Sequence, residues 1–266
     1  MHRFTYRRPA SLAEAKAMMA AAADGRLLAG GQTLIPILKQ RLAQPSDLVD
    51  IGRLAVLKGI TVDGGRVTIG AVTTHAEVAA APEIRRAVPA LAALAEGIGD
   101  AQVRNRGTIG GSIANADPAA DWPAAVVALD ATIRTDRRDI AADAFFTGLM
   151  ETALEADEIV TAISFPIPDT AAYLKFPNPA SRYAVVGVMV ARTTAKIRLA
   201  VTGAGPLVFR VPEMERALAR SFTPAALDGL AIPAEGLNED IHASPEYRAH
   251  LVGVMARRAV AACGTS

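Results

Sequence analysis

Apolar and polar positions along the chain follow two periods, near two and near 3.6, and the switches between them mark its elements. "FTY" at 4–6 predicts a short strand. Ser11 followed by Glu14 has capping-box spacing, in which hydroxyl and carboxylate each satisfy a backbone N–H, and predicts a helix through Ala23. Asp24-Gly25 ends it. "RLLAG" (26–30) predicts a buried strand, Thr33 to Leu42 a helix, and "DLVDI" (47–51) another strand. From Gly59 to Val72 the period is two. "ITV" runs into Asp63-Gly64-Gly65, a turn signal, and "RVTIGAV" then puts Val67, Ile69 and Ala71 on one face, so a hairpin is expected.

Thr74 and Glu77 repeat the cap spacing, and Pro89 to Gly97 predicts a further helix. Residues 98–118, "IGDAQVRNRGTIGGSIANADP", carry no period and predict a long irregular loop. Pro118 is expected in the first turn of a helix through Leu129, a position where the missing N–H costs nothing. Strands are expected near 131–135 and 158–165. Pro166, Pro168, Pro177 and Pro179 crowd one stretch and set the expected boundary, giving domains 1–168 (subdomains about 1–55 and 56–168) and 169–266. Beyond it, "YAVVGVMVA" (183–191) and "KIRLAVTGAG" (196–205) predict paired strands, and helices follow at about 212–220 and 224–230. The last helix opens at Ser244-Pro245 with the apolar stripe Tyr247, Leu251, Val254, Met255, Ala259. The succession predicts an α+β fold without regular βαβ alternation.

Composition narrows the classes. With 51% hydrophobic and 21% charged residues the chain can bury a sizeable core, and 266 residues suggest two or three lobes. A formal net charge of +1 leaves no broad basic field for nucleic acid. No apolar run reaches membrane-spanning length, and the opening "MHRFTYRRPA" lacks the apolar stretch of a signal peptide, so the cytoplasm is the expected location. The one cysteine, Cys263, excludes an internal iron–sulfur cluster, which takes four thiolates, and a structural zinc site, which takes several Cys or His. The histidines (His2, His75, His242, His250) show no H-x-x-x-H spacing. No metal is expected in this chain, and any redox chemistry needs an organic cofactor.

Two glycine pairs carry the candidate chemistry. Gly30 and Gly31, in "LAGGQTLIPILKQRL" (28–42), fall at the expected strand-to-helix turn; Gly110 and Gly111, in "TIGGS" (108–112), sit between hydroxyl residues. A pyrophosphate needs several donors at short range. Backbone N–H groups in a tight turn supply them without side-chain bulk, and glycine permits close approach and positive φ. A Gly-Gly pair alone is an ordinary turn, and neither pair belongs to a G-x-x-x-x-G-K-[ST] or G-x-G-x-x-G fingerprint. In "NADPAADW" (115–122), Asp117 and Asp121 flank an expected helix start. Two readings stay open: they cap the helix, or they accept ribose or ribityl hydroxyls.

These segments, with "RNRGTIGGSIANADPAADWPAAVVALDA" and "HASPEYRAHL" near the end, resemble the FAD-binding medium subunit of the molybdenum hydroxylases, the family of the carbon monoxide dehydrogenase medium subunit and the xanthine dehydrogenase flavin domain. The resemblance spans the chain from "FTYRRPASLAEA" to the last helix. It implies a two-subdomain FAD-binding domain of the vanillyl-alcohol-oxidase-like type plus a smaller C-terminal α+β domain. It implies that Ala29, Gly30, Gly31, Gln32 and Thr33, with Thr108, Gly110, Gly111 and Ser112, hold the FAD pyrophosphate. Leu34 and Ile35 would be further contacts. Asp121, or Asp117 as second candidate, would meet the ribityl or ribose hydroxyls, and Val160, Lys175 and Tyr183 would meet the isoalloxazine ring. On the residues alone, Lys175 is also a solvated surface lysine and Tyr183 a strand residue of a half-buried sheet.

Departures from the family pattern are small: Thr33 stands where serine is frequent, and Trp122 where leucine is common. Trp122 either packs near the flavin edge or fills core. Arg104 and Arg106 of "VRNR" either approach the pyrophosphate or a partner, or lie in a solvated loop. The resemblance further implies an electron-transfer oxidoreductase subunit without catalytic residues of its own. Its partners would be a small subunit with two [2Fe-2S] clusters and a large molybdopterin subunit, arranged as a dimer of heterotrimers. Electrons would pass through FAD to a quinone, NAD or oxygen. Two alternatives remain at this point: a stand-alone FAD-dependent oxidase, and a non-catalytic nucleotide-binding module.

Overall fold

The computed structural model describes residues 1–264. The first layer is a sheet of β1 (Thr5–Arg7), β2 (Gly25–Leu28) and β3 (Asp47–Asp50), ordered β1-β3-β2 with both pairings parallel. Parallel neighbours need crossovers, here α1 (Leu12–Ala21) and α2 (Leu34–Lys39). Ser11 Oγ accepts the Glu14 N–H at 3.1 Å and Glu14 accepts the Ala10 N–H, so α1 starts where its spacing predicts. The opening segment therefore does alternate β-α-β-α-β, contrary to expectation. Its strands have three or four residues and α2 six, too few to show a period; α2 stops early because Arg41 turns left-handed (φ +61°).

The second sheet orders β4 (Ile60–Asp63), β5 (Arg66–Gly70), β6 (Thr132–Thr135), β7 (Asp139–Ala141) and, after a small hairpin of β8 (Phe146–Gly148) and β9 (Glu151–Thr152), β10 (Val160–Pro166). Its order is β4-β5-β10-β6-β7, all antiparallel. Gly64 and Gly65 both take positive φ, as a two-residue hairpin turn requires. Val67, Ile69, Ile133, Ile163 and Phe165 are fully buried beneath helices α3 (His75–Ala80), α4 (Pro82–Ala87) and α5 (Pro89–Glu96) and their neighbours. Lys16 of α1 pairs with Asp136 at 2.7 Å and ties the first layer to the end of β6.

The expected loop 98–118 instead contains α6 (Ala101–Arg104), capped by Asp100, and α7 (Ile109–Asn115), capped by Thr108. Both are too short to show a period, and paired glycines argue locally against α7; tertiary contacts override that propensity. The next helix, α8 (Trp122–Ala128), begins after Pro118. Pro123 occupies its first turn, while the Pro118 carbonyl accepts from the Gly203 N–H at 2.7 Å and the Thr202 hydroxyl at 2.9 Å. A short α9 (Ala142–Phe145) leads into β8.

The third sheet is the antiparallel meander β11 (Thr170–Pro177), β12 (Ala184–Arg192), β13 (Ile197–Thr202) and β14 (Phe209–Arg210). The proline-rich stretch thus encloses a strand, with Pro177 at its irregular end, where a lost N–H is tolerated. One face carries α10 (Pro212–Arg220) and α11 (Pro245–Cys263); the other meets α8. Ala184 to Ala191 are all buried, which is why that strand reads as a continuous apolar run. Residues 224–227 form a single 3-10 turn rather than a helix to 230. On α11, Leu251, Met255 and Ala259 are buried as expected. Tyr247 is exposed, and Val252, Ala256 and Val260 complete the buried stripe instead.

All seven residues of α8 are buried, since the helix lies between the second and third sheets. Arg198 of β13 closes this junction. Its Nε donates to the Val127 carbonyl at 2.8 Å and its guanidinium pairs with Asp143 and Asp130. Arg198→Met strands that buried carbonyl. The unfolding free energy should fall by about 1–3 kcal/mol in urea titration; wild-type stability in the variant would remove the junction from the accounting.

Candidate functional site

An open cleft of about 560 Å³ lies at the carboxyl end of the first parallel sheet, where β2 and β3 run out, bounded by α7 and the start of β10. Ligands of open parallel sheets bind in such crevices, and the volume suits a small-molecule site. Ala29, Gly30, Gly31, Gln32, Thr33 and Leu34 line it from one side. Thr108, Gly110, Gly111 and Ser112 line it from another, and Asp117, Asp121, Val160 and Tyr183 complete the predicted set. Ile35 and Lys175 do not line it. The Ile35 side chain folds back over Gly31, and Ile37, two residues along α2, faces the cleft instead.

The four motif glycines serve different ends. Gly31 holds φ +73°, which a side chain disfavours. A Cβ on Gly30 would lie 2.1 Å from the Arg106 carbonyl oxygen, so the two glycine loops can touch only because residue 30 is bare. A Cβ on Gly110 would lie 2.6 Å from Ala71. Gly111 alone is exposed toward the cleft, where an added Cβ would meet only the Thr108 hydroxyl at 2.9 Å.

The donors are divided as unevenly. The N–H groups of Gly30, Gly31, Gln32 and Thr33 find no acceptor among the described residues. In the second loop the N–H groups from Ile109 to Ser112 are engaged: Ile109 with the Thr73 carbonyl, Gly110 with Ala71, Gly111 with the Thr108 hydroxyl and Ser112 with the Thr108 carbonyl. Backbone donation therefore falls to the first loop. The second offers a bare wall, the Ser112 hydroxyl and the Asn115 amide.

The acidic tail separates into two environments. Asp117 caps a local turn, accepting the Ala119 N–H at 2.9 Å. Asp121 caps nothing. It is 5% exposed, and its Oδ1 accepts from the Tyr173 hydroxyl at 2.6 Å and the Lys175 ammonium at 2.9 Å. Burial raises the Asp121 carboxyl from its ordinary value, opposed by Lys175 and the Tyr173 bond. Burial and Asp121 together hold the Tyr173 hydroxyl well above its own. Lys175 also donates to the Gly97 and Arg182 carbonyls at 2.9 and 2.8 Å, so it is no solvated surface lysine. Through Arg182, whose φ is +63°, it anchors the 178–183 loop that brings half-exposed Tyr183 to the cleft.

Several lining residues lay outside the sequence reading. His75 is 4% exposed and faces the cleft; its Nδ1 accepts the Trp122 Nε1–H at 3.1 Å. Burial, then the nearby Arg104, lower its pKa to about 4, so the ring is neutral. A lone histidine beside a helix cap gives no pattern to read; its partner is 47 residues away. Trp122 itself is core, with no exposed surface. Glu158, beside Val160, is held at a pKa of about 2, chiefly by the Arg138 guanidinium. Arg104 spends its guanidinium on the Ile98 and Gly99 carbonyls, and neither it nor Arg106 lines the cleft.

Comparison with known proteins agrees with this architecture. Residues 2–168 match the model of the FAD binding domain in molybdopterin dehydrogenase, and residues 171–263 that of the CO dehydrogenase flavoprotein C-terminal domain. The nicotine 6-hydroxylase medium subunit of Paenarthrobacter nicotinovorans is 36% identical, over 97% of this chain and 96% of its own. The carbon monoxide dehydrogenase medium chain of Hydrogenophaga pseudoflava has the same identity and coverage. Among solved structures, carbon monoxide dehydrogenase from Hydrogenophaga pseudoflava superposes with a TM-score of 0.88 at 35% identity over 99% of this chain and 98% of that one. Quinoline 2-oxidoreductase from Pseudomonas putida 86 does so with 0.89 at 29% identity, over 99% and 97%. With its parallel and antiparallel sheets, its paired glycine loops and these relatives, the chain belongs to the FAD-binding medium subunits of the molybdenum hydroxylases, an oxidoreductase family.

Proposed function

We propose that this chain is the electron-transfer subunit of a heterotrimeric molybdenum hydroxylase. It takes electrons from the [2Fe-2S] clusters of a small partner subunit and passes them through FAD to a quinone, NAD or oxygen. Substrate hydroxylation belongs to a large molybdopterin subunit, and the assembly is a dimer of heterotrimers in the cytoplasm. The relatives named as medium subunits and medium chains support this reading. Among the described residues no helix is long and apolar enough to cross a membrane. The separate family matches, and the start of the third sheet at Thr170, support domains 1–168 and 169–266.

The observation that carries the reading is the run of unpartnered N–H groups at Gly30 to Thr33 opposite the bare Gly111. Donors clustered at one turn and a wall without side chains suit a diphosphate. Bound FAD supplies the one- and two-electron chemistry that none of the twenty side chains here offers. The residues position it: the first loop donates to phosphate, Ser112 and Asn115 add side-chain donors, and Asp117 and Asp121 are placed for hydroxyl groups. Val160 and Tyr183 supply apolar walls for the ring. Lys175 acts through Asp121. The pair is electrically near neutral, so loss of Lys175 alone leaves a negative charge unbalanced.

Gly111→Val should leave the thermal melt close to wild type and weaken FAD binding by roughly tenfold or more, read from flavin fluorescence. Gly110→Val, by contrast, should unfold the loop against Ala71. Full flavin content in folded Gly111→Val would sink the diphosphate reading. Lys175→Ala removes the attraction that opposes desolvation of Asp121, so that carboxyl rises further. At pH values above the raised pKa the site carries an extra negative charge, and the flavin potential should fall by something on the order of tens of millivolts. Below it, Asp121 is protonated and the potential should converge on wild type. Spectroelectrochemical titration over pH checks this; a potential equal to wild type at every pH would separate Lys175 from the cofactor.

A further inference from the structure

We propose that His75, oriented by Trp122, is a further cofactor-positioning residue of the cleft: its Nε2–H donates a hydrogen bond to a diphosphate oxygen of the bound dinucleotide. The inference rests on the cleft being the FAD site. Its grounds are geometric. Trp122 is fully buried and does not line the cleft, and its indole N–H donates to His75 Nδ1 at 3.1 Å. An indole N–H only donates, so Nδ1 is the bare nitrogen and the proton sits on Nε2. The Nε2 edge lies on the opposite side of the ring, against Gly107. A Cβ on that glycine would stand 2.8 Å from Nε2, so glycine there is what leaves the edge clear. Both residues line the cleft, and Nε2 finds no acceptor among the described residues.

The neighbourhood selects the ligand atom. Gly107 follows Arg106, whose carbonyl packs on Gly30, so Nε2 stands beside the loop whose own N–H groups are unpartnered. His75 N–H donates to the Gly107 carbonyl at 3.0 Å, which fixes the backbone of donor and loop to each other. A desolvated donor next to several others fits an oxygen with more than one lone pair and a full charge, as on phosphate. Being neutral, the imidazole adds a donor without adding charge.

The test uses the full chain with nitrogen-15-labelled histidine. In wild type, the Nε2 proton of His75 should be observed on Nε2 and should shift downfield on adding FAD or ADP, which carry a diphosphate, but not on adding riboflavin, which does not. In parallel, His75→Phe should weaken FAD binding roughly tenfold to a hundredfold, the range for a lost bond to a charged group. His75→Gln, which keeps a donor near the same point, should recover most of it. A response to riboflavin and none to ADP would overturn the assignment, as would FAD affinity unchanged in folded His75→Phe. A wild-type chain that binds neither FAD nor ADP would overturn the cofactor reading itself, and the two failures are thereby told apart.

Discussion

The carbonyl oxygen of Arg106 occupies the place where a side chain on residue 30 would begin. That steric fact joins two pieces of chain far apart in sequence, the turn after β2 and the turn before α7, and the cleft is the space they enclose. Around it the N–H groups of Gly30 to Thr33 stay spare while those of Ile109 to Ser112 are all engaged. The second loop is knitted into the backbone at Ala71 and Thr73, where it acts as a fixed wall. The first touches that wall at one bare Cα, and its own amides stay unpartnered beside the cleft.

Burial around α8 gives the wall its stiffness. A helix covered on every side must be apolar throughout, and "WPAAVVA" is. The groups at its entrance are then the only polar ones the packing admits, and each has a partner: Asp121 with Tyr173 and Lys175, Trp122 with His75. The third sheet, through Arg198 and the Thr202–Pro118 contact, presses on the same helix from the other side. The cleft is thus shaped by a sheet that contributes little of its lining.

Much of this was legible in the residues. The hairpin at Gly64-Gly65, the Ser11 and Thr74 caps and the buried run of β12 each follow a local rule, and the structure keeps them. The parallel first sheet and the helices α6 and α7 were not, because elements of three to seven residues are set by what they pack on rather than by their own period. The glycine pairs and acidic residues singled out in the sequence meet in one cleft, and a side chain on Gly30 or Gly110 would first strike neighbouring chain, at Arg106 and Ala71. Ile35 faces away, and Lys175 stands behind Asp121. Which way a side chain turns, and who holds it, depends on contacts such as Trp122 to His75 that no spacing encodes.

Lys175 is held by one carboxylate and two carbonyls, and one of those carbonyls belongs to Arg182, next to Tyr183. Charge and access are in this way adjusted by a single lever. A substitution that alters the field behind the cleft also slackens the loop at its mouth, and one that reshapes the mouth disturbs the field. A lineage cannot move the two properties independently along this path; compensating changes have to arrive together, at 121, 175 and the turn that follows Asn178.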